Sequence, residues 1–102
     1  MLTLKPSCEH CDKDLPPDAR DAMICSFECT FCASCVHTHF ENVCPNCGGG
    51  FQSRPARPAN PHKGKAHLGA NPASTERIHR PKDLEAHREH FKDLKTTDPY
   101  SR

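Results

Sequence analysis

Cys25-Ser26-Phe27-Glu28-Cys29-Thr30-Phe31-Cys32-Ala33-Ser34-Cys35 places four cysteines within eleven residues. A further pair stands on each side: Cys8-x-x-Cys11 thirteen residues upstream, and Cys44-x-x-Cys47 eight residues downstream. A Cys-x-x-Cys turn holds two sulfurs on one side of a tight loop, close enough to share a tetrahedral ion. Eight cysteines make two closed S4 tetrahedra, and zinc at about 2.3 Å from each thiolate suits that donor set. The expected metal ligands are therefore Cys8, Cys11, Cys25, Cys29, Cys32, Cys35, Cys44 and Cys47, and the expected cofactor is two zinc ions. A closed site has no position for water or substrate, so its role is structural and not catalytic.

The rest of the composition makes such a metal necessary. The chain has 102 residues, no Trp and ten prolines. A chain this short buries too little apolar surface to be stable on that alone. A structural zinc contributes roughly 10–16 kcal/mol apparent in small peptides, more than the missing core would give. An even cysteine count also raises a disulfide framework. However, Met1–Ser7 carries no apolar run suited to a signal peptide, and no stretch is long and apolar enough to span a membrane. The expected setting is the reducing cytoplasm, where clustered cysteines bind metal.

Around the cysteines lie the large apolar residues expected to form the core: Leu15, Met23, Ile24, Phe27, Phe31, Val36, Phe40, Val43 and Phe51. Ala22-Met23-Ile24 reads as a short strand, and Phe51-Gln52-Ser53 as a strand returning against it. Val36 and Phe40, four residues apart, share one face of a short helix over Ala33–Glu41. Asp12–Asp21, with Pro16-Pro17 and several acids, reads as an exposed loop. The expectation is a small α+β zinc-binding module over residues 1–53.

The composition changes at Arg54. Residues 54–80 are Pro-rich and basic, a semi-extended linker. Pro81 suits a first helical turn, and Leu84, Phe91 and Leu94 mark a short amphipathic helix over 81–95, with residues 96–102 trailing. Helices of this length are weak alone in water, so the C-terminal tail is expected to be largely disordered. Net charge is −4 over residues 1–53 and +5 over residues 54–102.

These features weigh the function classes. The acidic module repels phosphate, whereas Arg54, Arg57, Lys63 and Lys65 on the tail offer a salt-sensitive contact to nucleic acid. That half lacks aromatic stacking residues apart from Phe91 and Tyr100 near its end, so such binding would be unspecific. Cys29-x2-Cys32-x2-Cys35 with Cys44-Pro45 has the flavour of a ferredoxin ligand run, but its last gap is wrong and four cysteines are left over. His39-Phe40-Glu41 near Cys44-x-x-Cys47 contains fragments of a zinc-deaminase signature in the wrong order. His87 and His90 make a weak two-imidazole pair, and His10, His37 and His39 read as surface residues or neighbours of the ligands. No enzyme is expected.

The order of spacings resembles the RING finger. That resemblance implies a cross-brace: Cys8, Cys11, Cys32 and Cys35 around one zinc, and Cys25, Cys29, Cys44 and Cys47 around the other. Cys44-Pro45-Asn46-Cys47 is similar to the end of many RING domains. The alternative is a sequential pairing similar to LIM domains, with Cys8, Cys11, Cys25 and Cys29 together and the remaining four together. RING domains dock a ubiquitin-conjugating enzyme on an apolar surface near the first and last cysteine pairs. Here Glu9 and His10 stand where an apolar residue is expected, no Trp precedes Cys44, and Cys29 replaces the usual His.

More narrowly, residues 1–58 resemble the domain of unknown function 1272 family of short bacterial proteins. The resemblance rests on Cys-Asp-Lys-Asp-Leu-Pro-Pro (11–17), Ile-Cys-Ser-Phe-Glu-Cys-Thr-Phe-Cys (24–32) and Cys-Pro-Asn-Cys-Gly-Gly (44–49). It implies a small metal-binding module. The function expected is a non-enzymatic adaptor that presents loops such as Asp12–Asp21 to a protein partner. The alternatives are a nucleic-acid-associated protein using the basic tail, and a RING-type ubiquitin-ligase-like activity.

Overall fold

Three short strands and two helices carry the architecture in a computed structural model that describes residues 1–102. β1 (Ala22–Ile24) pairs antiparallel with β2 (Thr30–Cys32), Met23 opposite Phe31. β3 (Gln52–Ser53) returns on the other side of β1, Met23 opposite Ser53, giving the sheet order β2-β1-β3. The turn between β1 and β2 holds Glu28 at a φ of 64°. Its amide donates to the Cys25 carbonyl at 3.0 Å, which closes the hairpin around two cysteines.

β2 runs straight into α1 (Ala33–Cys35), which continues as a π-helical turn, Val36–Phe40. The wider turn ends where Glu41 and Asn42 both take the left-handed conformation, at φ 49° and 62°. Val36 and Phe40 share the inward face and are fully buried, as their spacing requires. Phe31 lies between Phe40 and Phe51, with ring centroids 4.9 and 5.6 Å away and both rings edge-on. Edge-to-face aromatic pairs add about 0.5–1.5 kcal/mol each beyond the area they bury. Leu15 and Val43 complete this core. Phe27, expected inside, is 74% exposed, because the turn that brings Cys25 and Cys29 together throws the intervening residue outward.

The tail differs from its expectation. It is not disordered: it folds back over residues 1–53, and its contacts are polar and specific. Arg54 is buried and donates to the carbonyls of Lys5, Leu15 and Pro16. Arg57 ties Leu2 to Asn71, and the Ser74 amide donates to the Leu4 carbonyl. Arg77 bridges Asp12 and Asp14. α2 (Leu84–His90) is shorter than the stripe suggested, because Asp83 caps it by accepting from the Glu85 and Ala86 amides. Pro81 therefore lies before the cap. A 3-10 turn (Pro99–Ser101) ends the chain, and Arg102 donates to the carbonyls of Asn42 and Gly48. The physical reason for this order is that tail side chains satisfy backbone carbonyls of residues 1–53, with ion pairs from Arg77 to Asp12 and Asp14 and from Lys95 to Glu41 added to them.

Candidate metal centre

Two Cys-x-x-Cys turns share one backbone design. In Cys8–Asp12, the Asp12 amide donates to the Cys8 carbonyl at 3.0 Å and Asp12 has φ 63°. In Cys44–Gly48, the Gly48 amide donates to the Cys44 carbonyl at 2.8 Å and Gly48 has φ 77°. The left-handed fifth residue turns each loop sharply and leaves both sulfurs on its inner side. These are called here the first and second knuckles.

The other cysteines come from the hairpin and the helix that follows it. Cys25 follows directly on β1, Cys32 ends β2 and Cys35 ends α1. The fold thereby assembles two sulfur groups from alternate pairs. Cys8, Cys11, Cys32 and Cys35 have all their sulfurs within 4.8 Å of one another, and so do Cys25, Cys44 and Cys47. Cys29 stands beside Cys25 and the Asn46 side chain without sharing the mutual spacing of those three sulfurs. Cys8 and Cys11 are not grouped with Cys25 and Cys29, as a sequential pairing would require.

The geometry suits a tetrahedral ion. Four thiolates about 2.3 Å from a central metal lie about 3.8 Å apart along each edge. In the first group Cys8 to Cys35 is 3.9 Å and Cys11 to Cys32 is 3.8 Å. No disulfide links any of the eight. Backbone amides also point at sulfur: Phe27 donates to Cys25 Sγ and Gly49 to Cys47 Sγ, each at 3.4 Å. Such donors stabilise a thiolate and so prepare a sulfur for metal. Burial, followed by the neighbouring sulfurs, pushes the Cys35 thiol far above its ordinary value. Burial does the same to Cys44, opposed by amides of Asn46 and Cys47. Without a metal these sulfurs hold their protons, and a bound cation would displace them. Each of the two groups can hold a metal ion.

The histidines divide. His10, between Cys8 and Cys11, packs on Phe40 with centroids 5.3 Å apart. Its Nδ1 accepts from the Lys82 amide at 3.0 Å. Burial, then His39, His79 and Lys82, lower its tendency to protonate. His37 is exposed. His87 and His90 do not form a pair: His90 is exposed, whereas His87 is buried between Phe40 and Phe91. Its Nε2 donates to the Val43 carbonyl at 2.8 Å, and Nδ1 is left without a partner. Sequence reasoning missed this role because its signal, a histidine among the apolar stripe positions Leu84, Phe91 and Leu94, also fits a surface residue.

The basic residues of the tail divide as well. Arg54 and Arg57 direct guanidinium donors at carbonyls of this chain, Arg54 buried and Arg57 half-buried. Lys63 and Lys65 remain exposed and make no ion pair. In the Asp12–Asp21 loop, Asp12 and Asp14 are held by Arg77, Asp21 by Lys13, and Leu15 is buried. No helix is long and apolar enough to cross a membrane.

No solved structure matches the chain. A curated relative, the Rhizobium meliloti (strain 1021) protein called "Uncharacterized protein R02474", is 56% identical over 81 residues, covering 79% of this chain and 89% of the relative. That match is longer than the cysteine-rich half, so it extends into the tail that packs on it. The family model described as protein of unknown function (DUF1272) matches residues 1–57, and with all eight cysteines inside that span the chain belongs to this family.

Proposed function

We propose that the chain is a non-enzymatic adaptor whose fold is set by two structural zinc ions in a RING-like cross-brace, and that it acts by binding another protein. The observation that carries this reading is the sulfur geometry: alternate cysteine pairs converge, with edge distances of 3.8–3.9 Å in the first group. All-thiolate tetrahedra favour zinc or iron–sulfur centres, and sulfurs 3.8–3.9 Å apart fit four thiolates on one mononuclear ion. Cys29 would complete the second site by a small movement toward Cys25.

The Asp12–Asp21 loop offers a protein partner less, since Asp12, Asp14 and Asp21 already pair within the chain. The better candidate is Phe27 with the neighbouring cleft. That cleft, of about 370 Å³, is lined by Ile24, Ser26, Phe51, Pro99 and Tyr100 among others. Phe27 is 74% and Tyr100 91% exposed. Exposed aromatics beside a concavity are the side chains that anchor protein interfaces. A ubiquitin-ligase-like activity has less support, because the surface near the first and last cysteine pairs carries residues 77–94 of the chain itself. Contact with nucleic acid would rest on exposed tail residues such as Lys63, Lys65, Arg80 and Arg88 without aromatic stacking between them, so it would be weak and salt-sensitive.

Native mass spectrometry with an absorption spectrum tests the metal. Two zinc ions per chain and no visible colour are expected, whereas a coloured sample carrying iron and sulfide overturns the reading. For the interface, in-cell crosslinking of the intact protein and Phe27→Ser is the measurement. Loss of a defined crosslinked protein in the variant, at unchanged zinc content, supports the adaptor role. An unchanged crosslink pattern places the interface elsewhere.

A further inference from the structure

Lys82 touches both knuckles. Its backbone amide donates to Nδ1 of His10, between Cys8 and Cys11, at 3.0 Å. Its ammonium donates to Oδ1 of Asn46, between Cys44 and Cys47, at 2.9 Å. On the N-terminal side of Lys82 the tail follows the first knuckle: Arg77 holds Asp12 and Asp14, and the Arg80 amide donates to the Glu9 carbonyl at 2.8 Å. On the C-terminal side it follows the second. His87 holds the Val43 carbonyl, Phe91 and Leu94 lie over Gly48, Lys95 pairs with Glu41, and Arg102 reaches the Gly48 carbonyl.

From this placement we infer that residues 77–102 are a strap that couples the two metal sites, with Lys82 as the positioning residue at its centre. The inference rests on the metal reading above and goes beyond it. A metal-free knuckle loses the closed shape set by its two sulfurs, and with it the carbonyls and side chains that the strap grips. Losing either ion then weakens the strap's hold on the other knuckle, so the two ions are bound and released together. Lys82 also acts on the second site through Asn46. By fixing Oδ1, it leaves the amide nitrogen for the Cys29 sulfur, which stands beside that side chain.

The test is stepwise chelation of the full-length zinc-loaded protein, followed by native mass spectrometry. Three chains are compared: the parent, Lys82→Met, and Phe91→Ser combined with Leu94→Ser. In the parent, two-zinc and zinc-free forms are expected with little one-zinc form between them. In both variants the one-zinc form should become a major species, and the first ion should leave the two-zinc form at about tenfold lower free-chelator concentration than in the parent. Lys82→Met removes only the side chain of a partly exposed residue, so it guards against misfolding of the double variant. A second readout uses Cys47→Ser in the full chain, with alkylation rates at Cys8 and Cys11 and amide exchange over 77–82. Both should speed up, although Cys8 and Cys11 belong to the first knuckle and residues 77–82 lie against it. A one-zinc population equal in the parent and both variants overturns the strap and leaves the zinc reading intact. A parent that binds no zinc overturns both.

Discussion

His87 Nε2 donates to the carbonyl of Val43, 2.8 Å away and one residue before Cys44. Because a carbonyl can only accept, this bond fixes the imidazole as the tautomer protonated on Nε2. It anchors α2 to the loop that carries the second knuckle, with Phe40 on one side of the ring and Phe91 on the other, each centroid 5.2 Å away.

Replacing His87 by Ala removes a buried donor and leaves a cavity between two aromatic rings. The expected cost is about 2–4 kcal/mol, combining an unsatisfied carbonyl with lost packing. Urea unfolding of the zinc-loaded protein measures it. A cost below about 0.5 kcal/mol would mean that α2 is not held on the core.

Arg54 is the corresponding anchor at the other end of the tail. It is 6% exposed, and its guanidinium satisfies carbonyls of Lys5, Leu15 and Pro16 while Nε stays unpaired. Burial lowers its affinity for its proton without an acid nearby to offset the cost. Arg54→Met keeps the length of the side chain but abandons three carbonyls, which should cost about 3 kcal/mol. Arg54→Lys can serve only part of this fan of acceptors and should recover less than half of the loss. Full recovery by Lys would assign the role to charge rather than to donor geometry.

These two residues explain what could be read in advance. The cysteine spacing, the strands around Met23 and Phe51 and the Val36–Phe40 face were legible, because turn chemistry, alternation and helical period each leave a mark on sequence. The tail was not. Its docking depends on Arg54, Arg57, His87 and Arg102 reaching backbone carbonyls, and a carbonyl has no sequence signature. A proline-rich, basic stretch that saturates such acceptors has the same composition as a solvated linker. Phe27 misled for the opposite reason: hydrophobicity predicts burial, but here the turn between Cys25 and Cys29 fixes the direction of the side chain.

Acid should strip the metal. An ordinary thiol keeps its proton through neutral pH, and burial raises the Cys35 and Cys44 thiols further. Metal binding must expel those protons, so apparent affinity rises with pH and falls on acidification. The fall is about tenfold per pH unit for each thiol that must lose a proton, which makes a four-thiol site steep. Zinc occupancy read by native mass spectrometry from pH 8 to pH 5 gives the slope. A flat profile would rule out thiolates as the ligands.

Gly48 offers the sharpest separation of knuckle from strap. It holds φ at 77°, a conformation that costs an L-residue about 1–2 kcal/mol. A Cβ there would also stand 3.3 Å from Leu94 Cδ1 and 3.3 Å from Phe91 Cε1. Gly48→Ala therefore meets two penalties, one in the turn and one against the tail. The contact penalty can be relieved by moving α2, whereas the turn penalty cannot. Adding Leu94→Ala opens space on one side, so the double variant should regain about 0.5–1 kcal/mol relative to the sum of the two single changes. A double-mutant cycle by urea unfolding of the zinc-loaded chain measures that coupling. Strict additivity would mean that Leu94 does not rest on Gly48 in solution, and the packing of the tail over the second knuckle would fall with it.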